Sequence, residues 1–263
     1  MTDVAELRKE EGAEKIGSPR PEAVCASASS AEAGSATRSK KCRRGVRLPV
    51  YSRGEETANA VTHGLAALLS IAGLVVMVVE AVATGKSAVV VASSALFGAT
   101  MVILYLVSTL YHAIPNRRAK RILQIFDHSA IYLLIAGSYT PFCLITLGGV
   151  TGWALFFVVW GIALAGAIFQ PFLMKAADWI NCLLYLGLGW CVIFVLKPLV
   201  EALPWGGLAL LAGGGVAYSA GVVFYLWDKL PFNHAIWHVF VLAGTALHFF
   251  AVFFYVIPNP IGV

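Results

Sequence analysis

From Thr62 onward the chain alternates between apolar runs of about 20 residues and short polar connections. Each run is long enough to cross a hydrocarbon core of about 30 Å at about 1.5 Å per residue. The runs are Thr62–Ala83, Ala88–Tyr111, His128–Leu147, Trp153–Phe172, Trp179–Leu199, Gly207–Trp227 and Ala235–Val256. The breaks between them carry helix-stopping residues, charges or interfacial aromatics, among them Thr84-Gly85-Lys86, Pro115-Asn116-Arg117-Arg118, Gly148-Gly149, Pro204-Trp205-Gly206 and Asp228-Lys229-Leu230-Pro231. The pattern predicts an all-α, polytopic membrane protein, a bundle of seven transmembrane helices. Trp153, Trp179, Trp205 and Trp227 fall where its aqueous interfaces should lie.

The first 49 residues break this pattern. They are rich in Ala, Ser, Glu, Lys and Arg and nearly lack large apolar groups, so ordering them would cost more entropy than burial returns. The chain therefore divides into a disordered basic tail, residues 1–49, and a membrane domain, residues 50–263. The tail has no apolar stretch followed by a cleavage site, so it is not read as a secretory signal. Basic residues concentrate before the first run (Arg38, Lys40, Lys41, Arg43, Arg44, Arg47, Arg53) and between the second and third (Arg117, Arg118, Lys120, Arg121). The connections on the other side hold only Lys86 and Lys197. Positive charge marks the cytoplasmic side, which puts the N-terminus inside and the C-terminus outside.

Composition agrees with lipid as the solvent: 59% of the 263 residues are hydrophobic and 13% charged, against about 25% charged in a typical soluble domain. The net charge of +5 comes from topology signals and does not call for nucleic acid as a partner. Five cysteines (Cys25, Cys42, Cys143, Cys182, Cys191) are odd in number and contain no C-x-x-C pair, which argues against a disulfide framework and against a thiolate zinc site.

Ionisable side chains at membrane depth are costly and mark function. In the derived topology His112 ends the second helix, Asp127 starts the third, and His234 and His238 start the seventh, all on the cytoplasmic side. His234 and His238 are spaced i, i+4, which sets both imidazoles on one face, a usual arrangement for two ligands of one metal. Ser108 stands one turn deeper than His112. Three histidines with one open position is the ligand count of a hydrolytic zinc site, where the metal lowers the pKa of water to about 7. The segment His234-Ala-Ile-Trp-His238 lacks the glutamate of the H-E-x-x-H proteases, leaving Asp127 as the nearby carboxylate, beside the metal or bridged to it through water. Taken singly, each histidine also reads as an interfacial or interhelical hydrogen-bonding group. His128 reads as interfacial. His248 lies ten residues beyond His238, about 15 Å, too far for the same metal, and reads as a core or outer-leaflet hydrogen-bonding group. His63, at the start of helix one, reads as interfacial or as a support for the site. Glu80 belongs to the opposite interface, and Gly213-Gly214-Gly215 to close packing or a flexible point.

At these residues the sequence resembles the hemolysin III family and, through it, the progestin and adipoQ receptor family, within the wider group that includes alkaline ceramidases. The resemblance spans about residues 55–258. It is carried by Glu56-Thr-Ala-Asn59-Ala-Val-Thr-His63, Ser108-Thr-Leu-Tyr-His112, Asp127-His-Ser-Ala-Ile with Gly137-Ser-Tyr-Thr-Pro141, and His234-Ala-Ile-Trp-His238. It implies zinc held by His112, His234 and His238, Asp127 in contact with the water on the metal, Ser108 close by, and an inside N-terminus. Two functions follow as expectations. The first is a zinc-dependent hydrolase of the cell membrane acting on an amide or ester of membrane lipid. The second is a non-enzymatic, zinc-stapled membrane protein that senses membrane state or perturbs membranes, which would underlie lysis. A coupled transporter would need polar residues through the midplane, where the sequence offers few.

Overall fold

The computed structural model describes residues 48–260, and the expected disordered tail lies almost wholly outside them. The described residues form helices and no strands. Seven are long and apolar enough to cross a membrane: α1 (Arg53–Ala83), α2 (Ala88–Ala113), α3 (Arg117–Leu147), α4 (Gly149–Leu173), α5 (Asp178–Ala202), α6 (Trp205–Tyr225) and α7 (Asn233–Val256).

Two helices start well before the apolar runs that announce them. Helix α1 begins at Arg53, nine residues ahead of Thr62, because Ser52 and Glu55 close a capping box: Glu55 N donates to Ser52 Oγ at 3.2 Å and Ser52 N to Glu55 Oε2 at 2.8 Å. Helix α3 begins at Arg117, eleven residues ahead of His128, because the Asn116 side chain accepts from the amides of Arg118 (3.0 Å) and Ala119 (3.1 Å). Hydropathy ends where charge begins, whereas these two caps carry the helices past the charged turns. Helices α1 and α3 thereby bring polar side chains to one end of the bundle.

Of the 18 most apolar residues of α3, 72% are buried, against 17–50% in the other six helices. Helix α3 is therefore the central one. Around it Phe97, Met101, Leu104, Tyr105, Ile145, Val252 and Val256 form the main core. Outward, Val61, Leu65, Leu68, Val75 and Val79 of α1 remain more than half exposed, which in water would be an aggregation surface and in lipid is the solvated face. The four tryptophans expected at the interfaces are all exposed. Between α3 and α4 the chain reverses through Gly148 (φ 57°) and Gly149 (φ 51°), a left-handed pair that side chains resist.

Two helices change pitch. After Pro141, α3 runs on as a π-helix over Phe142–Leu147. Helix α5 tightens to 3-10 over Trp190–Val195, next to Pro198, whose missing amide leaves the Phe194 carbonyl without its α-helical partner. Tyr139 of α3 secures this break: its hydroxyl donates to Gly189 O at 2.6 Å and accepts from Val192 N at 2.8 Å. The same residues line the cavity described below, so the irregular turn shapes its wall.

Close approach of α1 and α2 depends on Gly98, where a Cβ would lie 2.8 Å from Leu74 Cβ and 3.0 Å from its Cα. Gly98→Leu should cost about 1–3 kcal/mol of stability through overpacking, read as a lowered Tm in detergent. An unchanged Tm would show that the two helices separate freely.

Candidate metal centre

His112 stands in the last turn of α2, and His234 and His238 in the first turns of α7. One ring nitrogen of each lies within 4.8 Å of the other two, and all three residues are buried. Their ring centroids are 4.5–5.2 Å apart.

The neighbours of these rings decide which nitrogen is free. His112 Nδ1 lies 2.8 Å from Glu56 Oε2. A carboxylate only accepts, so Nδ1 carries the proton and the lone pair sits on Nε2. His238 Nδ1 lies 3.2 Å from Thr62 Oγ1, whose own hydrogen is directed to the carbonyls of Ala58 (2.9 Å) and Asn59 (3.0 Å). Nδ1 is therefore the donor again, and Nε2 is left with its lone pair. His112 Nε2 and His234 Nε2 are buried with no hydrogen-bond partner among the described residues. Buried polar atoms are nearly always partnered, and converging imidazole lone pairs are the donor set that a divalent metal takes. The residues fit such an ion.

Helix α1 supplies this support along one face, through Glu56, Asn59, Thr62 and His63. Asn59 is fully buried beside the His112 ring. His63 stacks on His238 with centroids 3.4 Å apart and planes at 11°, and meets the Tyr105 ring nearly at right angles, centroids 5.0 Å apart. Glu56 is held in turn by Lys120 Nζ at 2.6 Å, so the row Lys120, Glu56, His112 links α3 through α1 to α2. Glu55 ties α1 to the other ligands: its Oε1 accepts from Phe232 N at 3.4 Å. Phe232 adopts φ 58° immediately before α7, a left-handed conformation costly for an aromatic residue.

Tyr51 covers the outer side, its ring 5.9 Å from that of His112 and 5.3 Å from that of His234. Burial and the Glu56 carboxylate raise its phenol pKa. Tyr111 packs on His112 at 4.5 Å and Tyr225 on His234 at 5.8 Å.

Asp127 and Ser108 are buried beside the histidines and line the same cavity as His234 and His238. Asp127 does not enter the three-histidine cluster, and it sits ten residues inside α3 rather than at its start. Ser108 Oγ is buried without a partner among the described residues. His63 proves to be buried ten residues into α1, not interfacial. His128 is likewise drawn in: its Nδ1 donates to Gln124 O at 2.9 Å, and it lines the cavity. His248 is a core hydrogen-bonding group, with Nε2 3.2 Å from Leu211 O.

The cavity runs inside the bundle, about 540 Å³, from Asp127, Ser108 and His238 past Leu134, Phe142 and Val192 to Trp190 and His248. A second, polar hollow of about 760 Å³ opens at the histidine end between Tyr51, Tyr111, Asp178, Asp228 and Lys229. His234, His128, Asn181 and Tyr225 line both.

Fold and site together define a class: seven-helix proteins of membrane-spanning length with a buried three-histidine cluster at one end. The family model described as Haemolysin-III related matches residues 51–249. Hemolysin-3 of Bacillus cereus is 50% identical over 205 residues, 78% of this chain and 93% of that protein. The Hemolysin-3 homolog of Bacillus subtilis is 48% identical over 211 residues, 80% of this chain and 99% of that protein. The human monocyte to macrophage differentiation factor is 29% identical over 171 residues, 63% of this chain and 71% of that protein. The chain belongs to the hemolysin III family.

Glu56→Ala removes the carboxylate that orients His112 and leaves the three imidazoles in place. Its affinity for a divalent metal should fall about 10–100-fold, measured by competition with a chelator. An unchanged affinity would show that Glu56 serves only Lys120.

Proposed function

We propose that this chain is a cell-membrane zinc hydrolase acting on an amide or ester bond of a membrane lipid. The observation that carries the reading is the position of His234 and His238 on a long apolar cavity lined by helices, with His234 also lining the polar hollow. His112, His234 and His238 would hold the ion, and three neutral imidazoles with one open position suit zinc. Bound there, zinc supplies Lewis acidity for hydrolysis.

The chain's own groups have separable roles. Asp127, at the head of the cavity, orients the attacking water, takes its proton on a carboxylate oxygen and passes it to the leaving amine or alkoxide as the C–N or C–O bond breaks. Ser108 Oγ, buried and unpartnered among the described residues, donates to the oxygen that gains charge as the carbonyl is attacked. The apolar walls hold the acyl chain and keep bulk water from it, while the polar hollow admits water and releases the headgroup product. Basic residues at this end support a cytoplasmic site. The two bacterial relatives carry the name hemolysin, and lysis is a natural consequence of altering membrane lipid.

The second reading is a metal staple. The ligands come from two helices only, α2 and α7, and α1 clamps both. A staple would make the protein's effect on membranes independent of Asp127.

Asp127→Asn separates the two. The hydrolase reading expects retained zinc, an unchanged Tm and hydrolysis of lipid amides and esters reduced about 100-fold or more, followed by mass spectrometry of the products. A zinc-loaded wild type that cleaves no lipid amide or ester would contradict it.

A further inference from the structure

The cavity ends in a polar group that the proposed chemistry does not use. His248 lies on α7 ten residues past His238, about 15 Å deeper, and lines the cavity. Its imidazole is seated deliberately. A Cβ at Gly214 of α6 would overlap Cδ2 and Nε2 of the ring, so the central residue of the Gly213-Gly214-Gly215 run is the slot that admits it. Tyr218 packs across the ring at 5.4 Å, nearly perpendicular.

The tautomer is fixed by the partner. Leu211 O, at 3.2 Å from Nε2, can only accept, so Nε2 carries the proton and Nδ1 carries a lone pair. Nδ1 is buried and has no partner among the described residues. The polar groups around it are matched to one another. Tyr105 OH and Tyr218 OH both meet Thr245 Oγ1, at 2.7 and 2.8 Å, and Thr245 Oγ1 donates to Val241 O at 2.9 Å. Ser219 Oγ donates to Gly215 O at 2.8 Å and accepts from Trp190 Nε1 at 3.1 Å. None of these donors turns to Nδ1, which is left an unmet acceptor on a residue that lines the cavity. An ionisable residue at this depth is there for a partner.

We propose that the deep end of the cavity is a hydroxyl-recognising subsite, in which His248 Nδ1 accepts a hydrogen bond from a mid-chain hydroxyl of the lipid. A hydroxyl fixed to the ligand satisfies this acceptor without immobilising a free water. The inference rests on the reading of the cavity as a lipid site, but not on the metal or on hydrolysis. It makes His248 a specificity residue: saturated chains fill the cavity, and hydroxylated chains fill it and pair with Nδ1.

The test is competition for a fluorescent fatty-acid probe on the detergent-purified full chain and on its His234→Ala variant. The competitors are stearic acid, its mid-chain hydroxy derivative and its α-hydroxy derivative. The expected result is about two- to tenfold tighter binding of the mid-chain hydroxy acid than of stearic acid in both proteins, with no gain for the α-hydroxy acid. In His248→Phe the gain should vanish while stearic acid still binds, which also reports that the variant folds. Equal affinity for stearic and mid-chain hydroxy acids in the wild type would overturn the subsite and leave the hydrolase reading standing. Failure of every long-chain acid to bind would overturn both the subsite and the lipid cavity on which that reading depends.

Discussion

Three imidazoles brought within 4.8 Å of one another inside an apolar bundle impose the requirement that orders the rest of this molecule. Each ring has one nitrogen that must donate and one that must accept, and burial makes an unmet group of either kind costly. Helix α1 answers for two rings, with Glu56 and Thr62 fixing the protons of His112 and His238 on Nδ1. Fixing one nitrogen leaves the other committed as an acceptor, and one nitrogen of each ring lies within 4.8 Å of the other two. The long amphipathic start of α1, the Asn116 cap that lets α3 present Lys120 to Glu56, and the left-handed Phe232 before α7 all serve to bring these groups to one place.

The irregular turns belong to the same design. A straight α5 packed along α3 would close the space between them. The 3-10 stretch Trp190–Val195, held by Tyr139, and the π-helical end of α3 border the cavity instead. Backbone groups released by the change in pitch are taken up by a tyrosine side chain, which is how non-helical backbone is tolerated at membrane depth. Packing and the shape of the cavity thus share residues, and Gly214, which seats His248, is another instance.

Much of this was legible in the sequence, and the limits are physical. Apolar runs located all seven helices because their length is dictated by the bilayer. The i, i+4 pair His234 and His238 and its convergence with His112 followed from spacing plus topology. The starts of α1 and α3 were misplaced because hydropathy falls at charged turns even when a cap continues the helix. That error concealed the α1 support. With α1 taken from Arg53, Glu56, Asn59 and His63 recur at three and four residues on one face, a helical signal. Read from Thr62, His63 is left between an interfacial place and a support for the site. No local signal foretold Lys120 as the partner of Glu56, the contact of Tyr51 with His234, or the inward placement of His128. These depend on how distant helices meet.

The central claim is that His112, His234 and His238 form one metal site. It is tested most directly by metal analysis of the detergent-purified protein beside a variant carrying His234→Ala and His238→Ala. The account predicts zinc in the wild type and its loss from the variant, with both proteins eluting as folded species. Equal zinc in the two would contradict it.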